Sequence, residues 1–222
     1  MKRQSNFGAA FALSALLATT SAAFASEQTD TLAQATLTAQ HMKSDPAFGP
    51  ARSMLNRARG LLIIPRLVKA GFIFGAEGGD GVLVGKTAAG WSDPAFYSMS
   101  AASFGLQIGL EKAEIVMLIM NDKALSAVQN GDFKLGAGAG LTVATLSGGA
   151  AAGNLVGDII VWTSATGAYG GLTLNGSSIK PRYDWNNEFY GRPVSVPDIV
   201  AGNVQSPNAS QLRAALDTVR SG

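Results

Sequence analysis

Five basic residues lie between Pro46 and Ala76, a stretch without any acidic residue. They are Arg52, Arg57, Arg59, Arg66 and Lys69. Guanidinium and ammonium groups in such a cluster suit phosphate, because both donate charged hydrogen bonds to its oxygens. At about 100° per residue on a helical wheel, three apolar side chains share one arc: Phe48, Met54 and Leu55. Arg52, Arg57 and Arg59 flank that arc on both sides.

Two interpretations of this amphipathic segment stay open. In the first, the helix lies in a membrane interface, with arginine stems along the apolar region and their charged heads on lipid phosphates. In the second, the apolar face packs against a protein core and the arginines form a solvated rim. Both interpretations predict arginines at the surface.

The residues needed for catalysis are scarce. His41 is the single histidine, and the chain has no cysteine and no G-x-S-x-G motif, so a nucleophilic triad or a zinc site is not predicted. Glu111 and Glu114 could form an acid–base pair, but solvated charge at a strand turn is the ordinary explanation. We therefore predict a protein that is not an enzyme and needs no metal or cofactor.

The glycine-rich stretch "DFKLGAGAGLTVATLSGGAAAGNLVGD" (Asp132 to Asp158) raises two further possibilities. It lacks the G-x-G-x-x-G spacing of a dinucleotide loop, and it has too few Leu, Val and Ile residues for a membrane helix. Alternate residues from Phe133 to Val143 are apolar, and glycines fill the other face. That period predicts a long strand, followed by a small-residue loop from about Ser147 to Gly157.

The first 25 residues read as a signal peptide. Lys2 and Arg3 precede an apolar run from Phe7 to Ala18, and Ala23-Phe24-Ala25 forms an A-x-A site, so cleavage after Ala25 and export to the periplasm are predicted. A retained anchor helix is the alternative, although the apolar run is short for one. The 17 Lys and Arg residues include Lys2 and Arg3, so the mature chain would balance its 15 acidic residues. Nucleic acid is therefore not a predicted partner.

Strand signals dominate the middle of the chain. Helices are predicted over Thr29 to Lys43, over Ala47 to Ala58, after Asn121, and at the C-terminus around Leu212 and Val219. Strands are predicted over the following segments: 61–64, 70–76, 81–86, 96–111, 114–120, 158–164, 169–175 and 178–183. "EIVMLIM" has the continuous apolar run of a central strand. The predicted fold class is α+β, a mostly antiparallel, curled, Gly-rich sheet forming a partial barrel, with short N-terminal helices and a C-terminal helix.

Several sequence blocks resemble the SYLF domain in order and spacing. They are "LLIIPRLVKAGFIFGAEGGDGVLVG", "GWSDPAFYSMSAASFGLQIG", "MNDKALSAVQNGDFKLGAGAG", "GAYGGLTLNGSSI" and "NNEFYG". The resemblance implies phospholipid binding through an N-terminal amphipathic helix and basic residues. In eukaryotes it also implies phosphoinositides, Src-homology or FYVE modules and, for some members, actin. The implied organisation is a signal peptide (1–25), an N-terminal helix and linker (26–46), a lipid-binding domain (47–191), and a connector with a C-terminal helix (192–222).

The function expected from these observations is non-catalytic phospholipid binding at a periplasmic membrane surface. The expected partner is an anionic phospholipid membrane, and its expected contacts are Phe48, Arg52, Met54, Leu55, Arg57, Arg59, Arg66 and Lys69. The alternative is a carrier of a small apolar ligand inside the curled sheet. A deep apolar cavity would favour the carrier. A filled interior with a basic, apolar-tipped end would favour the membrane binder.

Overall fold

The computed structural model describes residues 26–71, 74–104, 109–131, 133–136, 141–146, 156–163 and 176–220. Several predictions fall outside these ranges. They are the signal peptide, residues 105–108 of the strand predicted over 96–111, most of the glycine-rich stretch at 137–140 and 147–155, and the strand predicted over 169–175.

Three helical segments precede the sheet. Helix α1 spans Glu27–Ser44, and the side chain of Ser26 caps it by accepting a hydrogen bond from the Thr29 backbone N–H at 3.3 Å. Ser26 is thus the N-cap, and the helix starts earlier than the predicted start at Thr29. A 3-10 turn over Pro46–Phe48 leads into the short helix α2, Gly49–Leu55.

The described strands form one curled, mixed sheet. Their bounds are β1 Gly60–Gly71, β2 Phe74–Thr87, β3 Gly90–Trp91, β4 Ala95–Phe104, β5 Gly109–Ile119, β6 Phe133–Lys134, β7 Val143–Leu146, β8 Ile159–Thr163 and β9 Ser178–Pro181. The strand order is β6-β9-β4-β2-β1-β5-β8-β7, with β3 paired to β2. The described pairs are antiparallel except β7 with β8, which is parallel. The predicted α+β class is confirmed.

Both faces of the sheet are covered. Four more helices follow in the chain: α3 Asp122–Gln129, α4 Tyr183–Tyr190, α5 Val196–Val200 and α6 Ser210–Arg220. Leu61 and Ile63 of β1 share one core with α1, α2 and α6, while Leu62 and Ile64 share the other with α3 and α5. Burial on both faces explains the continuous apolar runs, and Ile115 to Ile119 of β5 are all buried as predicted for a central strand.

Three strand predictions are wrong. The segment predicted as one strand over 70–76 contains the end of β1 at Gly71 and the start of β2 at Phe74, and these two strands pair antiparallel. The segment predicted as one strand over 96–111 contains the end of β4 at Phe104 and the start of β5 at Gly109, and β2 and β1 lie between these two strands in the sheet. The strand predicted from Phe133 to Val143 ends at Lys134. Gly136 follows with φ of 72°, a conformation that glycine adopts without strain and that ends the extended run.

Candidate functional site

The apolar side of the predicted amphipathic segment packs inward. Phe48 and Leu55 are fully buried and Met54 is nearly so. The Phe48 ring meets Trp162 of β8 edge-on, with 5.5 Å between the ring centroids. The structure therefore uses these three side chains to cover the sheet rather than leaving them free for lipid. Of the two interpretations of this helix, the core-facing one describes this conformation.

The guanidinium of Arg52 forms hydrogen bonds within the protein. Its Nη2 donates to the carbonyl oxygens of Lys43 at 2.5 Å and Asp45 at 3.5 Å. These carbonyls end α1, where the helix leaves acceptors without an internal partner and carries negative partial charge. Arg52 thus fastens α2 to the end of α1, and a role in binding phosphate would cost that contact.

Arg57 and Arg59 are exposed at one end of the sheet. The Arg59 backbone N–H donates to Ile119 O at 2.7 Å, and its carbonyl accepts from the Lys86 N–H at 2.8 Å. Arg59 therefore lies where β1 begins and where β2 and β5 end. Its Nε is 3.4 Å from the Asp122 carboxylate, in an ion pair whose side chains are 57% and 81% exposed.

Helix α3 begins at this same end and brings Lys123, which is exposed. The positive partial charge of the helix N-terminus adds to the basic side chains there. Asn121, the N-cap of α3, also connects α3 to the start of β8, since its Nδ2 donates to the Asp158 carboxylate at 2.5 Å. The neighbouring Met120 N–H donates to Asp158 O at 2.9 Å.

An exposed apolar residue accompanies these charges. Val156 lies two positions before Asp158 and is 89% exposed. We call Arg57, Arg59, Lys123 and Val156 the strand-end surface. Asp122 and Asp158 are the acidic residues beside it, so its charge is positive by a small margin.

Asp158 holds this end of the sheet together through its ionised form. The Thr142 backbone N–H donates to the carboxylate at 2.7 Å, and the Thr142 hydroxyl lies 2.9 Å away. The Thr142 N–H bond, followed by the bonds from Asn121 and the Thr142 hydroxyl, lowers the pKa of Asp158. We call these hydrogen bonds to the Asp158 carboxylate the clasp. It joins the residues that precede β7, β8 and α3.

This clasp predicts a pH effect. A depressed pKa in the folded state means that the contribution of Asp158 to stability is present above its unfolded pKa of about 4 and is lost as pH falls through the folded value. We expect the melting temperature of the parent to fall more steeply than that of Asp158→Asn between about pH 5 and pH 3. Thermal unfolding followed by circular dichroism measures both curves, and parallel curves would contradict the clasp.

The remaining predicted contacts lie away from the strand-end surface. Arg66 is exposed about half-way along β1. Lys69 is further along the same strand, in register with Glu77 of β2 and Glu111 of β5. The structure therefore brings together Arg57 and Arg59 of the predicted set and separates them from Arg66 and Lys69.

His41 has a structural partner. Its Nδ1 lies 2.6 Å from the Glu114 carboxylate, which also accepts from the Thr38 hydroxyl at 2.7 Å. Glu114 lies within β5 rather than at a strand turn, so this cluster joins α1 to the sheet. Within the described ranges, no group of three His, Cys, Asp or Glu residues could hold a metal ion. In that same part of the chain, no helix is both long and apolar enough to span a bilayer.

Open clefts lie among the described sheet and helices. Three of them have volumes of about 620, 380 and 420 Å³. Charged or polar side chains line each of them, such as Asp30, Arg213 and Gln211. Apolar side chains fill the space between the described sheet and its helices. These observations give the apolar-carrier hypothesis no support.

Comparison with known proteins places the chain in a family. The model of the Ysc84 family, described as "Las17-binding protein actin regulator", matches residues 100–219, more than half of the chain. The chain belongs to this family, which agrees with the resemblance to the SYLF domain. The family is described by a regulatory role and not by a reaction.

Two of the relatives below are named YSC84-like, and the third is named a LAS seventeen-binding protein. Human SH3 domain-containing YSC84-like protein 1 is 31% identical over 175 residues, covering 74% of this chain and 50% of the relative. The Xenopus laevis protein of that name is 30% identical over 176 residues, covering 74% and 51%. LAS seventeen-binding protein 3 of Saccharomyces cerevisiae is 29% identical over 194 residues, covering 82% and 42%. The chain thus spans about half the length of these curated relatives. No solved structure matches it.

Two members of the strand-end surface were not predicted. Lys123 was read as part of a helix and Val156 as part of a small-residue loop, far from Arg57 and Arg59 in the sequence. Only the pairing of β1 with β5, and of β5 with β8, brings these segments to one end. The signal that could have found Lys123 is its place two residues after the helix N-cap that follows a central strand.

Proposed function

We propose that this protein binds anionic phospholipid membranes through the strand-end surface, without catalysis, as an exported protein at a periplasmic membrane. One observation carries the proposal: exposed Arg57, Arg59 and Lys123 converge with the exposed apolar Val156 at one end of a sheet covered on both faces. Such an end can meet a bilayer without uncovering the core.

The charges are sufficient for a measurable affinity. Each basic residue close to an anionic bilayer contributes about 1 kcal/mol, so three would supply at most about 3 kcal/mol, or roughly a hundredfold in affinity, an upper limit that the neighbouring Asp122 and Asp158 reduce. The effect weakens with salt, because exposed charges are screened within about 8 Å at physiological ionic strength. Val156 adds an apolar contact, while Phe48, Met54 and Leu55 stay in the core.

The predicted signal peptide supports the periplasmic location, and the family resemblance supports phospholipid binding. Cleavage at the A-x-A site after Ala25 would leave Ser26, the N-cap of α1, as the first residue, so α1 would remain complete. The resemblance to the SYLF domain implies phospholipid binding by basic residues. The family description also raises actin regulation as a second candidate, against which the predicted export signal argues.

Vesicle co-sedimentation tests the proposal. The parent should pellet with phosphatidylglycerol vesicles and not with phosphatidylcholine vesicles. The combined variant Arg57→Glu, Arg59→Glu, Lys123→Glu should bind at least about a hundredfold more weakly. Its melting temperature should change little, because exposed substitutions of this kind cost about 0.5 kcal/mol or less each.

A matched control reverses three exposed charges elsewhere. The variant Lys134→Glu, Lys180→Glu, Arg192→Glu changes the net charge by the same amount on β6, on β9 and after α4. It should keep most of the binding. Equal losses in the two variants would show an unspecific charge effect, and full binding by the strand-end variant would exclude this surface. Pelleting with actin filaments instead of vesicles would favour the second candidate.

A further inference from the structure

The central strand β1 contains a bulge at Pro65 and Arg66. Its pairing shifts between Ile63 and Val68 relative to β2, and between Ile64 and Leu67 relative to β5. Proline has no N–H to give to a ladder, so a position within a bulge accommodates it. Bulges of this kind re-aim a side chain out of the regular alternation.

Glycines of β2 let the bulged backbone lie close. A Cβ at Gly79 would come within 2.4 Å of Arg66 O, and one at Gly81 within 2.1 Å of Ile63 O. No other residue fits at either place without moving β1. The bulge is thus supported from the neighbouring strand, and the position of Arg66 is fixed by backbone contacts.

A cleft of about 620 Å³ lies above this bulge, beneath the first half of α1. Its charged and aromatic lining consists of Glu27, Asp30, Arg66, Asp80 and Trp185, with Gln34 one turn further along α1. The volume lies in the range of small-molecule sites. We call it the bulge cleft.

The charged residues of the bulge cleft are of two kinds: one is neutralised by an ion pair, and three are not. Arg182 binds Asp80 at 2.9 Å and lies over the Trp185 ring at 3.9 Å from its centroid, so Asp80 is already neutralised. The other three are Arg66 on the sheet side, and Glu27 and Asp30 on the helix side. Among the described residues, the side chains of these three form no ion pair with one another or with a neighbour. Side chains of opposite charge therefore line one cleft without forming an ion pair across it.

We propose that the bulge cleft binds a free amino acid or a molecule of the same chemistry, with a primary ammonium and a carboxylate on one short skeleton. The carboxylate would accept two parallel hydrogen bonds from the guanidinium of Arg66. The ammonium would lie between the carboxylates of Glu27 and Asp30. A simple anion is repelled by these two carboxylates, and a simple cation leaves Arg66 without a partner, so a dipolar ligand makes the most favourable contacts. This site is separate from the strand-end surface and goes beyond the proposed membrane function.

Isothermal titration of the chain from Ser26, with its amino group acetylated so that no ammonium is added beside Glu27 and Asp30, tests this inference. The probes are the common amino acids and γ-aminobutyrate, with acetate and methylamine as single-charge controls. At least one dipolar probe should bind about tenfold more tightly than either control. Arg66→Gln and Asp30→Asn should each weaken that binding by about tenfold, which corresponds to about 1.4 kcal/mol.

Arg57→Gln is the matched control, because it removes an exposed arginine at the other site. It should leave the titration unchanged, while Arg66→Gln should leave vesicle binding unchanged, so the two proposals fail separately. The inference is overturned if no dipolar probe binds more tightly than acetate and methylamine. It is equally overturned if Arg66→Gln binds the best probe as well as the parent does.

Discussion

Leu55→Ala should lower the free energy of unfolding by about 2–5 kcal/mol, the range for removing a buried leucine side chain. Leu55 is 0% exposed and packs in the core that α1, α2 and α6 share with the sheet. At about 2–4 °C per kcal/mol for a chain of this size, the melting temperature should fall by roughly 4–20 °C. Thermal unfolding of the parent and the variant measures the difference.

Leu37→Ala is the matched control, because Leu37 is also a helical leucine but is 54% exposed on α1. It should change the unfolding free energy by about 0.5 kcal/mol or less. The same pair of variants separates the two interpretations of the amphipathic helix. If Leu55→Ala kept the parent's melting temperature and lost vesicle binding, the apolar face would meet lipid and the packing described above would be refuted.

Asp93→Ala should be at least as damaging. Asp93 is 2% exposed, forms an ion pair with Arg213 of α6, and accepts a hydrogen bond from the Ser206 backbone N–H. Removing the carboxylate leaves a partly buried guanidinium and a buried N–H without their partner, a change that costs about 3–5 kcal/mol. Chemical denaturation measures the loss. Limited proteolysis should show earlier cleavage before α6, which Asp93 fastens to the sheet.

The control for Asp93 is Asp122→Ala. Asp122 also pairs with an arginine, Arg59, but both side chains are mostly exposed, so the loss should be about 1 kcal/mol or less. Comparable losses in the two aspartate variants would show that burial of Asp93 contributes nothing special. The ordering of the two variants is therefore the result that matters.

The strands most easily found from the sequence are those buried on both faces. Ile115 to Ile119 form a continuous apolar run, whose short length and β-branched content favour a buried strand over a buried helix. The end of a strand is harder to find. Lys134 and Gly136 continue an alternating pattern, yet the chain turns there because Gly136 adopts a positive φ. Alternation reports which face a residue occupies, but does not report where pairing stops.

The candidate site was predictable only in part, for a related reason. Basic residues near one another in the sequence were visible, and Arg57 and Arg59 do lie at the surface together. Arg52 is also an arginine and lies at nearly the same position on the wheel as Arg59, but its guanidinium donates a hydrogen bond to a carbonyl at the end of α1. Whether an arginine can hydrogen-bond to the end of a neighbouring helix depends on the angle between the two helices. A wheel drawn for one helix does not contain that angle.

The coverage of both sheet faces has a geometric consequence for a membrane-bound state. Because helices cover the faces, contact through the strand-end surface would stand the strands upright on the bilayer. Strand β1 has 12 residues and rises about 3.3 Å per residue, so its far end at Gly71 would be held about 40 Å above the lipid phosphates. Adsorption would then give the molecule a fixed vertical polarity. The glycine-rich tips of β1, β2 and β5 would point into the aqueous compartment, at a height comparable to the thickness of the bilayer below.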